Sequence, residues 1–154
     1  MAEYSFTVEN FLRSRKEVEP LFKEQYALMD CDRDAVPLDP NYDELEEASR
    51  IGRTLFISCR LGDEMVGYYF AVLQNHLFNR NSLTSFQLGF YLREEHRSGG
   101  RAVRMLKLAE AWMRARGVKR MYSGANIEFQ DGRVGRLLER MGYKPIEVSY
   151  SKIL

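Results

Sequence analysis

The stretch from Phe90 to Gly117, FYLREEHRSGGRAVRMLKLAEAWMRARG, constrains this chain most. An apolar and aromatic run ends at Leu92, a polar loop with two glycines follows, and from Arg101 apolar residues return at helical spacing. The order is strand, loop, helix. Ser98, Gly99 and Gly100 have side chains too small to screen their own amides. A helix beginning near Arg101 leaves its first N–H groups without intrahelical partners, and the positive end of its dipole adds to them. Gly99 and Gly100 also tolerate left-handed angles that turn successive amides toward one point. With the charges of Arg97 and Arg101 beside them, these amides suit an anion, and a diphosphate in particular. A tight connection without a ligand would use the same glycines. No G-x-G-x-x-G follows the strand and no G-x-x-x-x-G-K-[ST] occurs, so dinucleotide and Walker-type phosphate sites lack their defining residues.

The segment Arg97-Ser98-Gly99-Gly100-Arg101-Ala102 matches the pattern [Q/R]-x-x-G-x-[G/A], and in that position between strand and helix it resembles the motif of the GCN5-related N-acetyltransferase (GNAT) family. The helix, strand and helix that follow, closing on Met141-Gly142-Tyr143, look like the second half of that family. The resemblance covers Leu55 to Leu154 well and the first part in outline; the whole chain is also similar to small bacteriophage-encoded members. It implies an α/β GNAT fold: a central mixed, mostly antiparallel sheet of about six to seven strands, about four flanking helices, and a V-shaped cleft after the fourth strand. It implies acetyl-CoA as cosubstrate, with the pyrophosphate on Arg97, Ser98, Gly99, Gly100, Arg101, Ala102 and Val103. The pantetheine arm would pair with the strand edge at Phe90, Tyr91 and Leu92. The chemistry implied is direct attack of an amine on the thioester, with the amide near Leu92 as oxyanion donor.

Two positions depart from the family. The pattern Y-x-x-x-G-[FY], whose tyrosine protonates the leaving thiolate, reads Leu138-Glu139-Arg140-Met141-Gly142-Tyr143 here, so leucine stands at the tyrosine position. Water, Ser123, Tyr122 or Tyr150 are the replacement acids, and Glu128 is the candidate base. Asn126 and Asp131 compete for the family's asparagine after the preceding strand, Asn126 being the one assigned to the cofactor.

Composition sets the frame. A chain of 154 residues, 45% hydrophobic and 29% charged, suits one globular domain over 1–154. The N-terminus MAEYSFTVENF has neither a basic nor an apolar leader region, and no apolar stretch reaches the roughly 18 residues of a membrane span. A cytoplasmic protein is expected, in the host cytoplasm if the gene is viral. Cys31 and Cys59 lie far apart and only His76 and His96 are histidines, so no metal site is expected. Residues 1–92 hold nine Lys and Arg against fifteen Asp and Glu, whereas residues 93–144 hold thirteen against six. The basic half suits coenzyme A or nucleic acid, and the acidic half would steer a cationic acceptor.

Along the chain, Tyr4–Val8 alternates as a strand, and Asn10–Met29 is helical, with Pro20 either placing the start near Glu17 or kinking it. Residues 31–40 form an irregular connection, and Tyr42–Ile51 is a second helix stopped by Gly52. Strands follow at Thr54–Cys59 and Met65–Gln74, the latter covered on both faces, around a turn at Gly62. Asn75–Ser82 reads as a polar loop in which His76 is a surface residue or, as the lesser alternative, faces an acceptor, and Leu83–Leu92 as a strand in which Gly89 marks a bulge or a close approach. Trp112 falls on the core face of the helix after the loop. Val118–Ser123 is a short strand, a last helix begins at an Asp131 cap, and Glu147–Ile153 closes as an alternating strand.

The favoured function is an acyl-CoA-dependent N-acetyltransferase acting on an amine that the sequence does not specify, a small molecule or a protein. The alternative is a GNAT-fold protein that binds acyl-CoA or a partner without efficient turnover. Nucleic acid is the weakest partner: no aromatic-rich basic sheet motif is present.

Overall fold

A computed structural model describes residues 1–29, 32–127 and 129–154, the side chains of Gln130 and Asp131 excepted. Strand β1 (Tyr4–Glu9) leads into helix α1 (Phe11–Met29) and helix α2 (Tyr42–Arg50). Strands β2 (Thr54–Leu61), β3 (Glu64–His76) and β4 (Asn79–Leu92) then run as a meander. Helix α3 (Arg101–Ala115), strand β5 (Arg120–Tyr122) and helix α4 (Arg133–Arg140) complete the order. The sheet order is β1-β2-β3-β4-β5. All pairings are antiparallel except β4 with β5, which is parallel because α3 carries the chain back across the sheet.

The period of two along β2 and β3 divides the core. Leu55, Ile57, Cys59, Tyr69, Ala71 and Leu73 face α3 and α4, against Met105, Leu106, Ala109, Met113 and Leu138. Phe56, Tyr68 and Phe70 face α1, against Phe11, Val18 and Leu21. Burying each large apolar side chain contributes roughly 1.5–3 kcal/mol. A slip of one residue would exchange the two sets, so the register is held from both sides. Both faces of β3 are therefore covered, as its apolar run implies.

Helix α1 begins earlier than a proline-led start near Glu17. The Asn10 side chain accepts from the Leu12 amide at 2.9 Å, and its carbonyl accepts from Arg13 and Ser14. Pro20 lies inside this single helix. The helix α4 start is also corrected: it follows Gly132, which holds φ +72°, rather than an Asp131 cap.

The polar segment 75–82 is a hairpin rather than a loop. Its polar side chains tie down the backbone: Asn75 Nδ2 donates to the Arg80 carbonyl at 2.6 Å, and His76 Nδ1 accepts from the Phe78 amide at 3.2 Å. His76 thus shapes the turn.

The sheet has five strands among the described residues, not six to seven. Glu147–Ile153 forms no strand, and Ile146, Val148 and Tyr150 stand exposed. Alternation determines which side chains share a face, but a strand also needs an edge to pair with. Among the described residues no helix is long and apolar enough to cross a membrane.

Candidate active site

The two parallel strands part quickly. Thr84, Ser85 and Phe86 pair with Arg120, Met121 and Tyr122, after which β5 ends while β4 continues to Leu92. Gln87 Nε2 donates to the Gly124 carbonyl at 3.2 Å, just beyond the last pair. From Leu88 to Leu92 that edge of β4 faces no strand among the described residues.

Alternation shows which main-chain groups line this edge. The Arg93 amide donates to the Val66 carbonyl at 3.0 Å, so residue 93 points at β3. The Leu92 carbonyl instead accepts from Arg97 Nε at 2.8 Å, and the Phe90 carbonyl receives Gln25 Nε2 at 3.5 Å. In a strand the N–H and C=O of one residue point the same way, so the amides of Phe90 and Leu92 also face the open edge. Tyr91, paired with Tyr68, turns its main chain to β3 and contributes its ring. Of the three edge residues expected from the sequence, the structure thus brings two to the cleft by their backbones.

A bulge shapes the same strand. The register between β3 and β4 shifts after Phe70, leaving Leu88 without a partner. Beside it, a Cβ on Gly89 would lie 2.4 Å from Tyr68 Oη. Gly89 thus serves both a bulge and a close approach.

At the end of the edge the chain makes a short 3-10 turn over Glu94–His96 and reaches two glycines at φ +70° and +72°. The first intrahelical donor of α3 is the Arg104 amide, bonded to the Gly100 carbonyl at 3.0 Å. The amides of Arg101, Ala102 and Val103 precede it, and Gly100 brings no capping side chain. A Cβ on Gly100 would meet nothing within 4 Å, so the loop is open on that side of Gly100. Ser98, Gly99 and Gly100 are exposed beside them.

The two arginines of the loop behave differently. Arg97 spreads its guanidinium between the rings of Tyr91 and Phe129, at 5.6 and 5.1 Å from their centroids. Arg101 folds back over the Tyr4 ring at 3.7 Å and donates to the carbonyls of His96 and Ser98. Its guanidinium holds the loop together. A charged hollow of about 470 Å³ adjoins the loop, lined by Glu24, Tyr91, Arg93, Glu95, Arg97 and Phe129. There Arg93 bridges Glu24 and Glu64, and Tyr91 Oη donates to Glu24 at 3.3 Å.

The candidate acids and bases are scattered. Glu128 lies outside the described residues. Tyr150 is 92% exposed on a C-terminal segment that joins no strand among the described residues. Asn126 donates to the Met29 carbonyl at 3.1 Å and accepts from the Phe129 amide, so its side chain fastens its own loop to the end of α1. Tyr122 stacks on Phe86 with centroids 4.7 Å apart, and its hydroxyl accepts from Arg120. Leu138 is buried in the core.

Ser123 lies just past β5 near the phenols of Tyr69 and Tyr143, and its buried Oγ makes no hydrogen bond among the described residues. Burial, reinforced by Glu110, pushes Tyr143 up to about 12. Burial also raises Tyr69 and Tyr68, which remain neutral phenols.

Sequence reasoning missed Gln25 and Tyr68. Tyr68 Oη donates to Gln25 Oε1, and Gln25 in turn reaches the Phe90 carbonyl on the open edge. The signal was a glutamine on the apolar face of α1, three and four residues from Phe22 and Met29.

No curated protein matches the chain. Solved structures share its fold at low identity. The ribosomal-protein-alanine N-acetyltransferase of Brucella melitensis biovar Abortus 2308 is 16% identical, with TM-score 0.71 and 99% of each chain covered. An aminoglycoside acetyltransferase from an uncultured soil metagenomic sample is 12% identical, with TM-score 0.77 and 99% of each chain covered. A GCN5-related N-acetyltransferase from Ralstonia eutropha JMP134 is 21% identical, with TM-score 0.69 and the same coverage. The model of the acetyltransferase (GNAT) family matches residues 17–143, and this chain therefore belongs to the GNAT acetyltransferase family.

Proposed function

We propose that this protein transfers the acetyl group of acetyl-CoA to an amine. The observation that carries the reading is the continuity of an unpaired β4 edge with the exposed amides around Gly99 and Gly100. The pyrophosphate would rest on the amides of residues 98–103, with Arg97 beside it, and the pantetheine amides would pair with the main chain of Phe90 and Leu92. The neutral amine nitrogen attacks the thioester carbonyl carbon, and the oxyanion takes a hydrogen bond from an amide of the β4 edge near Leu92. Collapse breaks the C–S bond, the nitrogen loses a proton to water or a nearby base, and the thiolate takes one up. The products are the acetamide and free coenzyme A. Glu128 remains the candidate base, with water, Tyr122 and Ser123 as acid candidates where β5 ends and the Tyr143 hydroxyl beside Ser123 as a further one.

Binding without efficient turnover is the second reading, favoured by Leu138 at the position of the family's tyrosine. Thiol release separates the readings. Acetyl-CoA raises the melting temperature under both, by linkage. Thiol release from acetyl-CoA in the presence of amines occurs only under the first. An unchanged melting temperature at millimolar acetyl-CoA would overturn both.

A further inference from the structure

A cavity of about 380 Å³ opens on the α1 and α2 face of the sheet, lined by Phe22, Gln25, Leu45, Tyr68, Leu88 and Gly89 among others. None of its described lining side chains is charged. Its polar atoms already have protein partners: the Tyr68 hydroxyl donates to Gln25, the Gln25 amide donates toward Met29 Sδ and the Phe90 carbonyl, and Tyr26 donates to the Val36 carbonyl. What the cavity offers a guest is aromatic and aliphatic surface. Gly89 and Leu88 form its β4 wall, so it meets the open edge one residue before Phe90.

With the acceptor placed in this cavity, beside the edge along which the thioester would lie, we propose that the acceptor is a monoamine carried on an aromatic or branched aliphatic body rather than a polyamine or a multiply charged sugar. This rests on acetyl-CoA lying along β4. Several ammonium groups would shed water here without a carboxylate to replace it, whereas one apolar body gains by leaving water. The same lining acts on the nucleophile. Desolvation at the cavity mouth disfavours the ammonium form and raises the fraction of free amine. The nitrogen then attacks as a neutral group and releases its proton to water as the C–S bond breaks.

The test compares phenethylamine with spermidine on the wild-type protein and on Leu88→Glu. Leu88 is half exposed and outside the β3 ladder, so its replacement leaves the fold intact. Thiol release should give phenethylamine a kcat/KM at least about tenfold above spermidine, a factor equal to 1.4 kcal/mol. In Leu88→Glu the ratio should fall several-fold or invert. Phenethylamine added to the free protein should also move the amide resonances of Gly89 and Tyr68. A wild-type preference for spermidine, or a ratio unmoved by Leu88→Glu, would overturn the proposal while acetyl-CoA still stabilised the protein. Loss of that stabilisation would instead remove the acetyltransferase reading, and this proposal with it.

Discussion

Arg97 Nε donates to the Leu92 carbonyl at 2.8 Å, so the first side chain of the loop motif grips the last residue of the strand before it. The bond aligns the glycine loop with the strand edge, and the guanidinium rests between Tyr91 and Phe129. Arg97→Lys keeps the charge and loses the planar donor and both ring contacts. The KM for acetyl-CoA should rise about tenfold, the effect of 1.4 kcal/mol, with kcat little changed. A wild-type KM would show that this tie does not position the loop.

Gly100 holds φ +72° with empty space where a Cβ would point. Gly100→Val should cost about 1–2 kcal/mol in backbone strain and abolish the thermal shift given by acetyl-CoA. Gly117 has φ +78° and the same empty surroundings at the other end of α3. Gly117→Val should therefore lower the melting temperature similarly and keep the acetyl-CoA shift. Equal loss of the shift in both variants would indicate general destabilisation.

Gly67 sits where a side chain on β3 would run into β4. A Cβ there would lie 2.7 Å from the Tyr91 carbonyl oxygen and 2.4 Å from Leu92 Cδ2. One contact is backbone, so β4 must move. Gly67→Ala should cost about 1–3 kcal/mol in denaturant unfolding and also raise the KM for acetyl-CoA. Unchanged stability would mean that the strands separate freely here.

Alkaline pH should destabilise the fold. Burial pushes the Cys59 thiol up from 9.0 to about 11 and Tyr143 up to about 12. Between the unfolded and folded values the native state holds more protons than the unfolded one, so stability falls as pH rises. Denaturation midpoints should drop from pH 9 to pH 11. In Cys59→Ala the part of that slope near pH 9 to 11 due to the thiol should disappear. In Cys31→Ser, the native protein should leave Cys59 unmodified by a thiol reagent at pH 8, whereas the unfolded chain should react with one equivalent.

Tyr150→Phe should retain full kcat, because its ring is 92% exposed on a segment that joins no strand. A fall of tenfold or more would bring that segment into the cleft during turnover. Ser123→Ala and Tyr143→Phe provide the comparison, and a change in the basic limb of the pH–rate profile would mark either as the proton donor.

The helices, the two-faced β3 run and the strand-loop-helix unit from Phe90 onward were legible in the sequence because each depends on a local period or on backbone freedom at Gly99, Gly100 and Gly117. The period of two in Glu147–Ile153 was just as legible and did not make a strand, because pairing requires an edge and periodicity does not supply one. The polar residues of 75–82 misled for a related reason. Asn75, His76 and Asn79 look like loop residues in isolation, yet their side chains bond the backbone that closes a hairpin.

Sequence alone thus determined the two faces of the core, the left-handed glycines and the amides without intrahelical partners at the start of α3, since these follow from side-chain spacing and φ preference. Only the tertiary structure decided that β5 stops at Tyr122 while β4 runs on, that Arg101 turns back onto Tyr4, and that Gln25 joins Tyr68 to the Phe90 carbonyl. Each of those facts links residues distant in the chain. Nothing in their local spacing encodes where two strands diverge or which of two arginines faces the cleft, because both depend on how separate elements pack.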